Sequence, residues 1–311
     1  YDALGRDTKI QFCLAKRDPS GDAHSGVTRT ESSLTRHRYP DESSELKSLV
    51  QWDSRDYINV WVVQEIINNQ QSIAGYSTLA YAHGMPIDGI VIEAQYIGSS
   101  NVQYSKVLAH EMGHYFGLFH TFSGGCANNN CLTDGDRVCD TPPDGEIGNY
   151  PCMQEINSCI TDENDNSTNN PLRAQSLGGM GDQNDATNNY MDYSYIQCKT
   201  QFSLGQTERM QFFLQEVRNS LLESKGCMDP CPADPMINWA IRDTIILVGS
   251  ELQWVPDVIN ADEYLWTING DSISIEERAN FRFDEEGIYE ISFVVSNGDA
   301  RCDEEQIQFE V

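Results

Sequence analysis

Residues 110–120 read HEMGHYFGLFH. They lie within 102–119, where apolar residues return at helical intervals, so His110 and His114, four apart, share one face and can approach a single cation with Glu111 beside them. Gly117, three residues past the second histidine, lets the chain leave the helix with a positive φ open to it, and that turn can bring His120 to the same cation. Three neutral imidazoles leave a fourth position open for water, which is the ligand set of a catalytic zinc ion rather than of a closed structural one. Ordinary surface or core histidines are the bland alternative. Three of the chain's six histidines fall in these eleven residues, each placed to serve one tetrahedron, and that favours the metal.

Outward from this helix, Asp88–Tyr96 (DGIVIEAQY) and Tyr57–Val63 read as strands, Ser43–Trp52 as a short helix, and Thr8–Ala15 as a loosely alternating strand. Downstream, 121–187 is dense in Asn, Asp, Gly and Cys. It is too long for a structureless connection inside a domain unless disulfides or bound ions hold it. Gln206–Ser224 reads as an amphipathic helix that closes the domain. The composition changes near Cys227: residues 228–311 carry 19 acidic and 4 basic side chains, with no lysine and no histidine. The three prolines in 229–235 make a stiff linker there. Two domains are therefore expected, 1–227 and 228–311, the first of mixed α/β (α+β) class. In the second, short runs at 244–248, 263–268, 272–275, 281–283, 289–295 and 306–311 predict an all-β immunoglobulin-like sandwich.

The 311 residues hold 20 Lys and Arg against 48 Asp and Glu, a net charge of −28 that repels phosphate backbones and anionic lipid, so no nucleic-acid partner is expected. No stretch of 18 apolar residues suggests a transmembrane segment. The ten cysteines, at 13, 126, 131, 139, 152, 159, 198, 227, 231 and 302, are even in number and scattered, so disulfides outrank a thiolate metal site and the protein is expected to be secreted or extracellular, with cell-surface association left open. Cys131 and Cys139 suit a local pair. The start at Tyr1 reads as a mature or trimmed form.

HExxHxxGxxH is the zinc signature of the metzincin metallopeptidases, and this copy resembles the pappalysin family in particular. The resemblance extends through WDSRDYINVWVV (52–63), DGIVI (88–92), HTFSGGC (120–126), GDRVCDTP (135–142), NNYMDYS (188–194) and FSLGQTERM (202–210), roughly over residues 8 to 222. Residues 266–298 resemble a polycystic-kidney-disease-type (PKD-like) domain, on Trp266, Gly287, Tyr289 and Asn297.

What the resemblance implies is a zinc-dependent endopeptidase acting on protein or peptide substrates, with His110, His114 and His120 on the metal and Glu111 as general base. It implies Met191 in a tight turn beneath the site, with Tyr193 donating a hydrogen bond to the developing oxyanion. Substrate would run antiparallel to an edge strand matched to 88–96. Ile196 stands where arginine-preferring relatives carry an acidic residue, so the pocket after the scissile bond is expected to take aliphatic or aromatic side chains. Also implied are structural calcium in the acidic loop, with Asp136 and Asp140 as ligands, and crossed disulfides among Cys126, Cys152, Cys159 and Cys198. Relatives are made as zymogens with an upstream inhibitory pro-segment. A secreted adhesion or protein-binding module with little peptidase activity is the rival reading, supported by the acidic C-terminal sandwich.

Overall fold

The computed structural model describes residues 6–98, 103–145, 148, 152, 155–230, 235–238 and 247–297, and the backbone of 306–310. Its contacts divide the chain into two units: the residues up to Cys13 with Thr28–Ser224, and Leu14–Val27 with the chain from Lys225 onward.

In the first unit the order is β1 (Arg36–Arg38), α1 (Ser43–Ser48), β2 (Val60–Val63), β3 (Glu65–Asn68), β4 (Gln71–Ser72), β5 (Gly75–Ser77), β6 (Ile90–Glu93), α2 (Ser105–Tyr115) and α3 (Leu204–Glu216). One sheet has the order β2-β6-β5, with β2 parallel and β5 antiparallel to β6; a second has the order β1-β3-β4. All four residues of β6 are buried, because the strand is hydrogen-bonded on both sides and Ile90 packs into the core of Tyr115, Phe116, Leu118, Met191 and Met210. A continuous apolar run is what a strand covered on both faces requires. This corrects the expectation that 88–96 supplies an edge: its ladder groups are already taken, the strand ends at Glu93, and Ala94–Tyr96 turns as a 3-10 helix. The edges of that sheet are β2 and β5.

Helix α2 ends in a Schellman turn. Leu118 N–H donates to Gly113 O at 2.9 Å and Gly117 N–H to His114 O at 2.9 Å, with Gly117 at φ +88°. A Cβ at 117 would also strike the ring of Phe213 in α3, so glycine is required twice over. Helix α3 starts with a capping box between Ser203 and Gln206, and Asp140 reinforces it by accepting from Ser203 Oγ at 2.6 Å and Gly205 N–H at 2.8 Å. After Glu216 the expected helix gives way to a 3-10 turn, Asn219–Glu223. Between the two, Arg218 is buried: it makes a bidentate pair with buried Asp88 at 2.6 and 2.9 Å, donates to Tyr115 O at 2.9 Å and lies 3.5 Å from the Tyr115 ring centre.

The described part of 121–198 has little regular structure beyond the 3-10 turns Asp162–Asn164 and Gln175–Leu177. Disulfides hold it, as expected: Cys126–Cys159, Cys131–Cys139 and Cys152–Cys198. Two smaller expectations fail. Helix α1 stops at Ser48, and 8–15 forms no strand: among the described residues no segment pairs with it, and Phe12 and Leu14 stay exposed.

The second unit is all-β. It contains β7 (Met236–Ile237), β8 (Glu251–Trp254), β9 (Val258–Ile259), β10 (Glu263–Ile268), β11 (Asp271–Ser274), β12 (Ala279–Arg282), β13 (Ile291–Ser296) and β14 (Gln306–Glu310), with sheet orders β11-β10-β13-β14, β12-β8 and β7-β9. Asn269 and Gly270, both at positive φ, make the β10–β11 hairpin turn. Along β13 alternate residues are buried, and Phe293 stacks on the buried Trp266 at 4.0 Å between centroids. The expected strand at 244–248 and linker at 229–235 lie partly outside the described residues, and Val102, Cys231, Cys302 and Val311 lie wholly outside them.

Candidate active site

Helix α2 puts His110 and His114 one turn apart, and the turn at Gly117 swings His120 back beside them. The three Nε2 atoms form a triangle with sides of 3.0, 3.2 and 3.2 Å. Burial pushes all three imidazoles below their ordinary pKa, His120 to about 3, so they are neutral. His110 Nδ1 donates to Tyr190 O at 2.6 Å and His114 Nδ1 to Leu118 O at 2.9 Å. With the proton on Nδ1, each of these Nε2 atoms presents a bare lone pair toward the others. Lone pairs so crowded repel unless a cation sits among them. Zinc–nitrogen bonds of about 2.0–2.1 Å imply a tetrahedral edge of about 3.3 Å, which the triangle nearly matches. The donor set fits zinc, and among the described residues it is the one cluster of three metal-ligating side chains.

The turn holding Met191 is built from side chain to backbone. Asn189 Oδ1 accepts from Met191 N–H at 2.8 Å, and its Nδ2 donates to Gln206 of α3 at 2.8 Å. Met191 is fully buried beneath Gly113, where any Cβ would collide with its sulfur. The turn thus reaches the helix only because position 113 has no side chain, and it delivers the Tyr190 carbonyl to His110.

Glu111 is buried, its Oε2 has no hydrogen-bond partner, and burial pushes its carboxyl up to about 8 while Lys199 pulls it back. Gly75 of β5 packs against it, with a hypothetical Cβ only 3.2 Å from Oε1. Tyr193 is 42% exposed; its ring lies 4.6 Å from that of His120 and 5.8 Å from that of His110. Burial, then the nearby Glu111, pushes its phenol up.

Ile196 is half-buried in the loop that Cys198 closes. Asp192 is buried, accepting from Thr121 Oγ1 at 3.2 Å and Ser194 N–H at 2.5 Å. Asp136 and Asp140 do not form a carboxylate cluster. Asp136 is buried, accepting from Val138 N–H at 3.0 Å and Thr141 Oγ1 at 2.7 Å, and both oxygens of Asp140 are used in capping α3.

Lys199 escaped the sequence reading. It is half-buried, with Nζ 5.7 Å from the Tyr193 ring centre, and its charge acts on Glu111 and all three histidines. The available signal was its place directly after Cys198, a half-cystine fixed beside the Met191 turn.

The profile of the family described as Pregnancy-associated plasma protein-A matches residues 42–215, more than half of the chain, and that of a PKD-like domain matches 235–297. An extracellular metalloprotease of Arthroderma gypseum is 30% identical over 174 residues, 55% of this chain and 52% of its own length. Extracellular metalloprotease 1 of Coccidioides posadasii is 35% identical over 130 residues, 41% of this chain and 38% of its own length. The chain thus spans about half or less of these relatives. Among solved structures, mirolysin in complex with a compound aligns with TM-score 0.52 and 25% identity, covering 70% of this chain and 76% of that one.

Proposed function

The chain belongs to the pregnancy-associated plasma protein-A (pappalysin) family of metzincin-like metallopeptidases, followed in sequence by a PKD-like domain, and from that premise we propose that it is an extracellular zinc-dependent endopeptidase. The observation that carries the reading is the convergence of three neutral imidazole nitrogens beside a buried, unpaired carboxyl. The disulfides Cys126–Cys159, Cys131–Cys139 and Cys152–Cys198 suit an oxidising exterior, and no described helix is long and apolar enough to cross a membrane.

Zinc, when bound, supplies a Lewis acid that acidifies a water and polarises the scissile carbonyl. Glu111 accepts the proton of the attacking water and hands it to the leaving amine; a base raised toward neutrality by burial is suited to both transfers. Tyr193 keeps its phenolic proton and donates it as a hydrogen bond to the carbonyl oxygen as negative charge grows there. His110 and His114 are held in one tautomer by the carbonyls of Tyr190 and Leu118, so no proton has to move for them to serve as ligands. Met191 supports this floor from below. Strand β5 offers its edge to an extended peptide, which would pair antiparallel by main-chain hydrogen bonds, and Gly75 leaves room for Glu111 beneath it. Ile196 gives the pocket after the scissile bond an apolar character. Calcium in the 121–198 segment is kept as a structural adjunct, supported by a polar cavity of about 10 Å³ lined by Thr121, Asn128, Asp134, Asp136 and Thr141.

Metal analysis and peptide hydrolysis together test the reading. Wild type should hold about one zinc per chain, and His114→Ala should lose both zinc and activity. Glu111→Gln should keep the zinc while activity falls about 100- to 10,000-fold. An active His114→Ala protein, or a Glu111→Gln protein within about threefold of wild type, overturns it.

A further inference from the structure

Phe122 follows the third histidine by two residues, and it belongs to none of the buried apolar clusters of the described residues. It is half-buried, and its ring is engaged on two sides. On one it lies nearly parallel to His120, with centroids 4.7 Å and planes 17° apart. On the other it meets Tyr193 at 4.8 Å and 60°. Since the rings of His120 and Tyr193 are themselves 4.6 Å apart at 62°, the three close a triangle of stacked and edge-on contacts, the geometries that aromatic pairs prefer.

Both neighbours lack another means of being oriented. His110 and His114 are fixed through Nδ1 by the carbonyls of Tyr190 and Leu118, whereas Nδ1 of His120 makes no hydrogen bond with a described residue. A metal-binding imidazole ordinarily takes its orientation from a partner on its second nitrogen; here a flat hydrocarbon ring lies against it instead. The Tyr193 hydroxyl also makes no hydrogen bond with a described residue, which leaves it free for substrate and leaves its ring to be placed by packing. Around that ring stand His110, His120, Phe122 and the Lys199 ammonium, and of these only Phe122 carries neither a charge nor a metal-ligating nitrogen. Its own place is set by the main chain. Thr121 N–H donates to Met191 O at 3.3 Å and Thr121 Oγ1 to Asp192 at 3.2 Å, so the segments bearing Phe122 and Tyr193 are joined one residue ahead of each, and Gly125 N–H closes onto Phe122 O at 3.1 Å.

We propose that Phe122 is a positioning residue with two duties: it holds the His120 imidazole at the angle at which Nε2 meets the other two, and it props the Tyr193 ring beside the site. The second duty rests on the peptidase reading above; the first rests on metal binding alone. Phe122 acts through these two side chains, so its contribution to rate is geometric. A small tilt of a group that works in the transition state lowers kcat more than it weakens substrate binding.

The test compares Phe122→Leu with Phe122→Tyr in the full chain. Competition against a zinc chelator, with no peptide present, should show zinc held about 10- to 100-fold more weakly by the leucine variant. With zinc saturating, its kcat should fall about tenfold while KM stays within about twofold. Phe122→Tyr keeps a flat ring and should recover most of both losses. Placing Phe122→Leu on Tyr193→Phe separates the duties: zinc should weaken as before, but kcat should fall less than about twofold further, since no phenol remains to be placed. If the leucine variant folds poorly, Phe122→Met fills the same space without a plane and takes its place. Wild-type zinc affinity in the leucine or methionine variant overturns the first duty; wild-type kcat, or a full further loss in the Tyr193→Phe background, overturns the second. A Phe122→Tyr protein as impaired as the leucine variant overturns both. A wild type that binds zinc and cleaves nothing fails the peptidase reading instead and leaves the zinc comparison standing.

Discussion

Lys199 brings a positive charge into a cleft lined by aromatic and imidazole rings, within reach of the charges of Asp192 and Glu111. It makes no hydrogen bond or ion pair with a described residue, and it is half-buried, so a carboxylate that reached it would be less screened than at an open surface. Ile196 alone predicts an apolar preference after the scissile bond. Lys199 adds a short-range tolerance for Asp and Glu next to that bond, against the long-range repulsion of a chain with net charge −28. In a peptide series differing only at that position, Lys199→Met should lower kcat/KM for the Glu peptide about twofold to tenfold and leave the Leu peptide nearly unchanged. Added salt should help the Glu peptide with either enzyme by screening the general field. Equal losses for Glu and Leu peptides would assign the lysine to the machinery common to all substrates instead.

At the scale of elements, helix α2 is pinned at its exit by one buried guanidinium, because Arg218 joins the last turn of α2 at Tyr115 to Asp88 ahead of β6. Arg218→Met keeps the volume but strands the Asp88 carboxylate, which should cost about 3–5 kcal/mol in urea unfolding while the triad's zinc stays bound in the surviving folded protein. A loss below about 1 kcal/mol would mean that Asp88 finds another donor. The helix itself was legible because His110, Glu111, His114, Gly117 and His120 are linked by local spacing, which a helix and its C-terminal turn convert directly into geometry. The edge strand was not. Ile90, Val91 and Ile92 announce a buried strand whichever neighbours it has, whereas GYS at 75–77 is too short to show a period, and which of them lies at the border is a property of sheet order. Lys199 was illegible for a related reason: it owes its significance to residues across space, Tyr193 and Glu111.

Over the whole molecule, the two units have separate cores, one around Tyr115 and Met191, the other around Trp266 and Phe293. Leu14–Val27 groups with the second unit; its hydrogen bonds from Lys16 to Gly226 and from Arg17 to Lys225 stay within residues 1–227, and the exposed ion pair of Lys16 with Asp229 crosses that boundary. We therefore expect the 1–227 fragment to melt cooperatively and to cleave short peptides at rates within about threefold of the full chain, because nothing in its core is removed. A fragment that folds but is inactive would make the PKD-like unit part of the enzyme. The bridges of the 121–198 segment have a further meaning for where this protein is finished. The histidines gather on α2 and its C-terminal turn, whose geometry is set by helical hydrogen bonds, whereas the wall beside them is a stretch with hardly any regular backbone, closed by sulfur. Where thiols abound that wall is expected to stay open, leaving the metal ligands without a finished cleft, and oxidation is expected to complete it.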